Sequence, residues 1–126
     1  MLKHPDYFIC SYPPLALKSR DFDDLKEQVS VSVLDIFNAN SSVDTVAVST
    51  TGFVDEEGTV LSAGHFSGYS NISWEKILGP LTSQLKRVLT VNDGRASAWA
   101  EYIGSDQQVK SFIHFVIGTG IGVELH

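Results

Sequence analysis

Arg87-Val88-Leu89-Thr90-Val91 runs without a break into Asn92-Asp93-Gly94-Arg95-Ala96-Ser97-Ala98-Trp99-Ala100-Glu101-Tyr102-Ile103, and this stretch decides how the chain is read. The first five residues form a short apolar run that predicts a strand. The next ones begin with Asn and Asp, the residue types that cap a helix amino terminus, so an alanine-rich helix is expected over Arg95 to Ile103. Its small residues permit close contact with a sheet. Strand passing directly to helix is the repeating unit of an α/β fold, whose ligands bind at the carboxyl ends of the strands.

Outward from this unit the same alternation continues. Toward the amino terminus, Val43 to Ser49 reads as a strand around Val46-Ala47-Val48. Before it, Phe22, Leu25, Val29, Val33, Ile36 and Phe37 follow a capping Asp21 at helical spacing, and that helix is expected to end near Asn38-Ala39-Asn40. Tyr7 to Cys10 reads as a strand closed by Pro13-Pro14. Between the two central strands, the turn Asp55-Glu56-Glu57-Gly58 leads into a strand over Gly58 to Ala63. Gly64 to Ser73 has the composition of a binding loop. Ser73 caps a helix through Trp74, Ile77 and Leu78, which Gly79-Pro80 breaks or kinks before Leu81 to Leu85. A last strand, Phe112 to Ile117, ends at Gly118-Thr119-Gly120-Ile121-Gly122. The class is α/β, a mixed sheet with helices in one domain over residues 1–126.

Composition narrows the function. Nine Lys and Arg against fifteen Asp and Glu give a net charge of −6, so a basic nucleic-acid footprint is absent. Between Gly58 and Trp74 no Asp, Glu, Lys or Arg occurs, but Gly, Ser, His and Asn interrupt the stretch and no membrane span is expected. The start lacks the apolar core of a signal peptide. The one cysteine, Cys10, has no internal partner and is read as a small buried hydrophobe, which suits a cytoplasmic location.

Three constellations can carry chemistry. Asn92-Asp93 stands at a strand-to-helix junction, where a carboxylate can take a proton from a substrate hydroxyl or simply cap the helix. Gly118-Thr119-Gly120-Ile121-Gly122 offers backbone N–H groups and a hydroxyl to a phosphate. Its spacing is not that of a dinucleotide fingerprint, and a flexible turn reads equally well. Thr50 to Asp55 with Gly64-His65-Phe66-Ser67-Gly68-Tyr69 joins polar and aromatic side chains on glycine-supported loops, which suits a sugar and equally a solvated turn. His65 lacks the further ligands of a metal site. His114 is expected as a hydrogen-bonded core residue, and Trp74 and Trp99 as core or interface.

Together, Thr51-Gly52-Phe53-Val54-Asp55, Gly58-Thr59-Val60-Leu61, Gly64 to Tyr69, Val91-Asn92-Asp93-Gly94-Arg95-Ala96 with Ala98 and Ala100-Glu101, and Gly118 to Gly122 resemble the ROK sugar kinases over residues 46–123. The resemblance implies an actin-like, hexokinase-like fold of two α/β lobes with sugar and ATP meeting in the cleft. Within the family, Thr51 and Ala98-Trp99-Ala100-Glu101 resemble the bacterial N-acetylmannosamine kinases, with glucokinases and fructokinases close by. Carried over by position, Asp93 is the catalytic base and Asn92 a sugar ligand. Gly52 and Phe53 line the sugar, and Gly64 and His65 belong to the loop that closes over it, His65 standing where asparagine is frequent. Gly118, Thr119, Gly120 and Gly122 are expected near the phosphates of ATP, with Mg²⁺ neutralising their charge.

The resemblance also has gaps. The Asp-x-Gly-Gly-Thr phosphate loop does not precede Tyr7, and the Glu-x-Gly-His sugar ligands, the cysteine-rich zinc motif and the ATP-side lobe do not occur. The 126 residues therefore resemble most of the amino-terminal, sugar-binding lobe, and taken alone they are expected to be inactive and to form a homo-oligomer. The alternatives are a ROK-type sugar-responsive regulator, which would carry a helix-turn-helix before Tyr7, and a non-catalytic fragment.

Overall fold

The computed structural model describes residues 2–4, 7–9, 12–105, 110–117 and 121–125. Its centre is a parallel strand pair, β3 (Thr45–Thr50) and β7 (Arg87–Asn92), in register from Thr45 opposite Arg87 to Thr50 opposite Asn92. Parallel neighbours need a long crossover. Here it is an antiparallel sheet of β4 (Phe53–Val54), β5 (Thr59–Ser62) and β6 (Ser70–Ser73), followed by α2 (Trp74–Leu78) and a 3-10 turn over Gly79–Leu81. Before β3 stands α1 (Phe22–Ala39), and after β7 comes α3 (Asp93–Gly104). Two antiparallel hairpins flank these elements: β1 (Leu2–His4) with β2 (Tyr7–Ile9), and β8 (Ile113–Ile117) with β9 (Ile121–Leu125).

Local chemistry explains most of the boundaries. The Asp21 carboxylate accepts the Asp23 N–H at 2.8 Å and starts α1, and the Ser73 hydroxyl accepts the Lys76 N–H at 3.3 Å to start α2. Phe22 and Phe37, near opposite ends of α1, are buried with Val60, Ala63, Tyr69, Trp74, Leu78 and Leu85. Val46, Val48 and Val88 of the parallel pair pack on this core together with Leu25, Val29 and Val33 of α1. The periodic residues of α1 thus face the sheet, as their spacing requires.

Several expectations are corrected. Gly64 to Ser73 is not one loop, because Ser70–Ser73 pairs with β5, placing Ile72 opposite Val60. A Ser-Asn-Ile-Ser strand has no apolar alternation to betray it, and Asn71 takes a positive φ of 54°. Leu81 to Leu85 is not helical: the turn at Gly79–Leu81 ends at an extended Thr82, and Gln84 N–H bonds the Thr82 hydroxyl at 3.2 Å. The helix after β7 begins at Asp93 rather than Arg95, since capping falls to Asn92. Parallel and antiparallel pairings occur together with the helices, in keeping with the mixed α/β class, and β1 and β4 are runs of two or three residues that carry too little pattern to be read from the sequence. Cys10 lies outside the described residues. Among the described residues, no helix is long and apolar enough to cross a membrane.

Candidate functional site

The register that sets Thr50 beside Asn92 also sets the two chain exits side by side at the carboxyl edge of the parallel pair. Leaving β3, the chain turns through Gly52 at φ +96°, a conformation that only glycine adopts without strain. Leaving β7, it enters α3 through Asn92. The Asn92 side chain joins the two exits: Nδ2 donates to the Gly52 carbonyl at 2.7 Å, and Oδ1 accepts the Arg95 N–H at 3.2 Å. Asn92 is therefore both helix cap and bridge. One amide hydrogen and one lone pair of its side chain remain for a ligand.

Asp93 is the first residue of α3, and its carboxylate is exposed. Oδ1 accepts the Gly94 N–H at 2.8 Å, which orients the group. The helix amino terminus favours its negative charge. Of the pair Asn92-Asp93, it is Asn92 that caps the helix.

A third segment reaches the same edge. A Cβ added to Gly52 would fall on the Ser62 carbonyl oxygen and 2.8 Å from the Ala63 Cβ, so Gly52 packs directly on the residues that lead into Gly64 and His65. Beyond them the loop is tied down. Ser67 N–H donates to the Arg20 carbonyl and Phe22 N–H to the Ser67 carbonyl, both at 2.8 Å, and the Arg20 guanidinium lies 5.6 Å above the Phe66 ring centroid. Gly64 and His65 stay exposed ahead of this anchor. Phe53, one residue past Gly52, is 77% exposed and offers its ring to solvent. A cavity of about 370 Å³ opens beside Asn92, between Asp55-Glu56 on one wall and Arg95 and Trp99 on the other.

The structure thus brings Asn92 and its neighbour Asp93 to Gly52, with Ala63, the residue before Gly64-His65, packed on Gly52; of the expected site residues the cavity is lined by Asn92. Gly118, Thr119 and Gly120 lie outside the described residues, and Gly122 pairs with Val116 in the β8–β9 hairpin. His114 is half-buried, its Nε2 3.1 Å from the Ser97 hydroxyl, so its hydrogen bond is present without full burial. Trp74 is core, whereas Trp99 is 47% exposed and is not. Among the described residues no group of three His, Cys, Asp or Glu is placed to hold a metal ion. Sequence reading missed the buried partnership of Thr50, Tyr69 and Trp74, whose side chains meet in a chain of hydrogen bonds. Residues 19 and 5 positions apart on different elements leave no common motif.

Comparison with known proteins bears on the family and the fold. Residues 22–125 match the profile described as the ROK family. An N-acetylmannosamine kinase of Vibrio vulnificus is 31% identical over 90 residues, covering 65% of this chain and 28% of that protein. One of Escherichia coli O157:H7 is 29% identical over 79 residues, 61% of this chain and 26% of that protein. The chain thus matches only about a quarter of the length of these curated relatives. The crystal structure of a protein described as a candidate sugar kinase from Cytophaga hutchinsonii superposes with a TM-score of 0.70 at 20% identity, over 81% of this chain and 34% of that one. The fold is accordingly the mixed α/β arrangement of an actin-like ATPase lobe.

Proposed function

Because this chain belongs to the ROK family, we propose that it forms the sugar-binding, base-bearing part of an ATP-dependent sugar kinase, with N-acetylmannosamine as the substrate and the 6-phosphate as the product. The observation that carries the reading is the division of labour at β7–α3. Asn92 satisfies the helix and holds Gly52, so Asp93 is exposed beside it with one carboxylate oxygen uncommitted within the protein's own bond to Gly94.

In this reading Asn92 presents its remaining amide hydrogen and lone pair to sugar hydroxyls. The backbone at Gly52 comes close because no side chain stands in the way, and the Phe53 ring offers an apolar face. Asp93 accepts the proton of the attacking hydroxyl as that oxygen bonds to the terminal phosphorus of ATP and the bond to ADP breaks. Mg²⁺, carried on the phosphates of ATP as a substrate, neutralises the charge that spreads over them. The phosphate-binding role of Gly118, Thr119, Gly120 and Gly122 follows from the family alone. Glucokinase or fructokinase chemistry uses the same residues, and the names of the two relatives favour the acylated amino sugar. A cytoplasmic location and self-association belong to the same proposal.

The test has two arms. Titration of the ¹⁵N-labelled chain with N-acetylmannosamine should move the signals of Gly52, Asn92 and Asp93, and glucose or fructose should move them less. In a chimera that supplies the remaining kinase residues from a bacterial N-acetylmannosamine kinase, Asp93→Asn should abolish transfer while keeping sugar binding. A chimera that phosphorylates equally well without the Asp93 carboxylate would overturn the reading.

A further inference from the structure

Tyr69 is 3% exposed, and its phenol oxygen joins segments that are distant in sequence. Trp74 Nε1 donates to it at 2.8 Å, and Thr50 Oγ1 lies 2.6 Å away. An indole N–H can only donate. Thr50 Oγ1 also lies 3.1 Å from the Thr51 carbonyl, which can only accept, so each hydroxyl hydrogen has its own acceptor when Tyr69 donates to Thr50 and Thr50 to Thr51. With that assignment the relay runs from Trp74 through Tyr69 and Thr50 to the Thr51 carbonyl. Among the described residues no buried side-chain nitrogen or oxygen is left without a partner.

The end of the relay is significant. The Thr51 carbonyl shares its peptide plane with the nitrogen of Gly52, and Gly52 is the residue at φ +96° whose own carbonyl receives Asn92. The plane on the amino side of Gly52, together with the φ of +96° at which Gly52 packs against Ser62 and Ala63, contributes to the direction in which its carbonyl is presented to the Asn92 amide. Tyr69 also holds the neighbouring loop. Its carbonyl accepts the Ala63 N–H at 3.0 Å, and its ring stacks on Phe22 with centroids 4.9 Å apart.

We propose that Tyr69 is a positioning residue for the candidate sugar site, its hydroxyl setting the Thr51–Gly52 peptide and thereby the orientation of Asn92; the role in sugar affinity rests on the sugar-kinase reading above. The ring alone would serve packing, and phenylalanine would do that equally well. The hydroxyl is what the relay needs.

The experiment compares the ¹⁵N-labelled chain with Tyr69→Phe, Thr50→Val and Thr50→Ser. Tyr69→Phe keeps the stacked ring, and Thr50→Ser keeps the relay. In Tyr69→Phe and Thr50→Val the Gly52 amide and the Asn92 side-chain amide signals should shift, while Thr50→Ser should leave them near their wild-type positions. The Kd for N-acetylmannosamine should rise about tenfold in the first two, the scale of one lost hydrogen bond, and stay within about twofold in the third. If Tyr69→Phe does not fold, Thr50→Val carries the comparison. Unchanged Gly52 and Asn92 signals with only a lower melting temperature would reduce Tyr69 to packing and overturn the assignment. A wild-type chain that ignores the sugar would remove the kinase reading, and the two amide signals would still decide whether Tyr69 sets Gly52 and Asn92.

Discussion

Asn92 Nδ2 donates to the carbonyl of Gly52 at 2.7 Å, across 40 positions of sequence. The bond ties the exit of one parallel strand to the exit of its neighbour, and it uses a side chain already engaged as a helix cap. Its geometry separates the roles of two adjacent residues, which can be tested independently.

Asn92→Ala removes both the cap and the bridge. Loss of an Asn cap costs about 1 kcal/mol, and loss of the bond to Gly52 adds about 1 kcal/mol. Denaturant unfolding of the 126-residue chain should therefore show a loss near the sum. A change within experimental error would mean that neither bond matters in solution.

Asp93→Asn should behave oppositely. The residue is exposed and is not the cap, so stability should fall by less than about 1 kcal/mol, the scale of a charge interacting with a helix end. In the chimeric kinase, turnover should drop by about a hundredfold to ten-thousandfold, as expected for removal of a general base. Retention of more than about a tenth of kcat would be too much for that role.

Gly52→Ala places a methyl group against the Ser62 carbonyl and Ala63 in a backbone conformation that disfavours it. Strain and overpacking together should cost on the order of 3 kcal/mol. The comparator is Gly104→Ala, where a Cβ meets nothing within 4 Å and φ is ordinary. Equal melting temperatures for the two variants would contradict the close packing at Gly52.

Leu78 of α2 is fully buried in the core, so Leu78→Ala should lower stability by about 2–5 kcal/mol. Leu61→Ala, at a side chain 45% exposed on β5, should cost less than half as much. Comparable losses would place the core elsewhere.

Ile113 and Phe115 on β8 are 58% and 60% exposed, and the register pairs them with the apolar residues Leu125 and Val123. Exposed apolar strands tend to be covered by another chain. Sedimentation at about ten micromolar should reveal dimers or larger species, a concentration at which micromolar affinity already shows. Phe115→Glu should shift them toward monomer, and a wild-type chain that is monomeric at that concentration would count against self-association.

The α/β class, helix α1 and the β7–α3 junction were legible in the amino-acid sequence, because each rests on local rules: apolar period, capping side chains, a β-branched run. The wider family was legible as well, through the order and separation of short motifs from Thr51 to Gly122. Asn92 and Asp93 could be selected as a pair by the same means. Which of them caps α3 could not, since Asn and Asp serve almost equally at that position and the choice falls to the side chain that also reaches Gly52. Likewise, β6 is a strand only because Val60 and its neighbours pair with it, and Tyr69 acquires its directional hydroxyl only where Thr50 and Trp74 converge on it. Local periodicity and capping are carried by neighbouring residues, so the chain alone determines them. Strand partners, the closeness of Gly52 to Ala63 and the order of donors and acceptors in a buried network depend on segments many residues apart, and only the tertiary structure decides those.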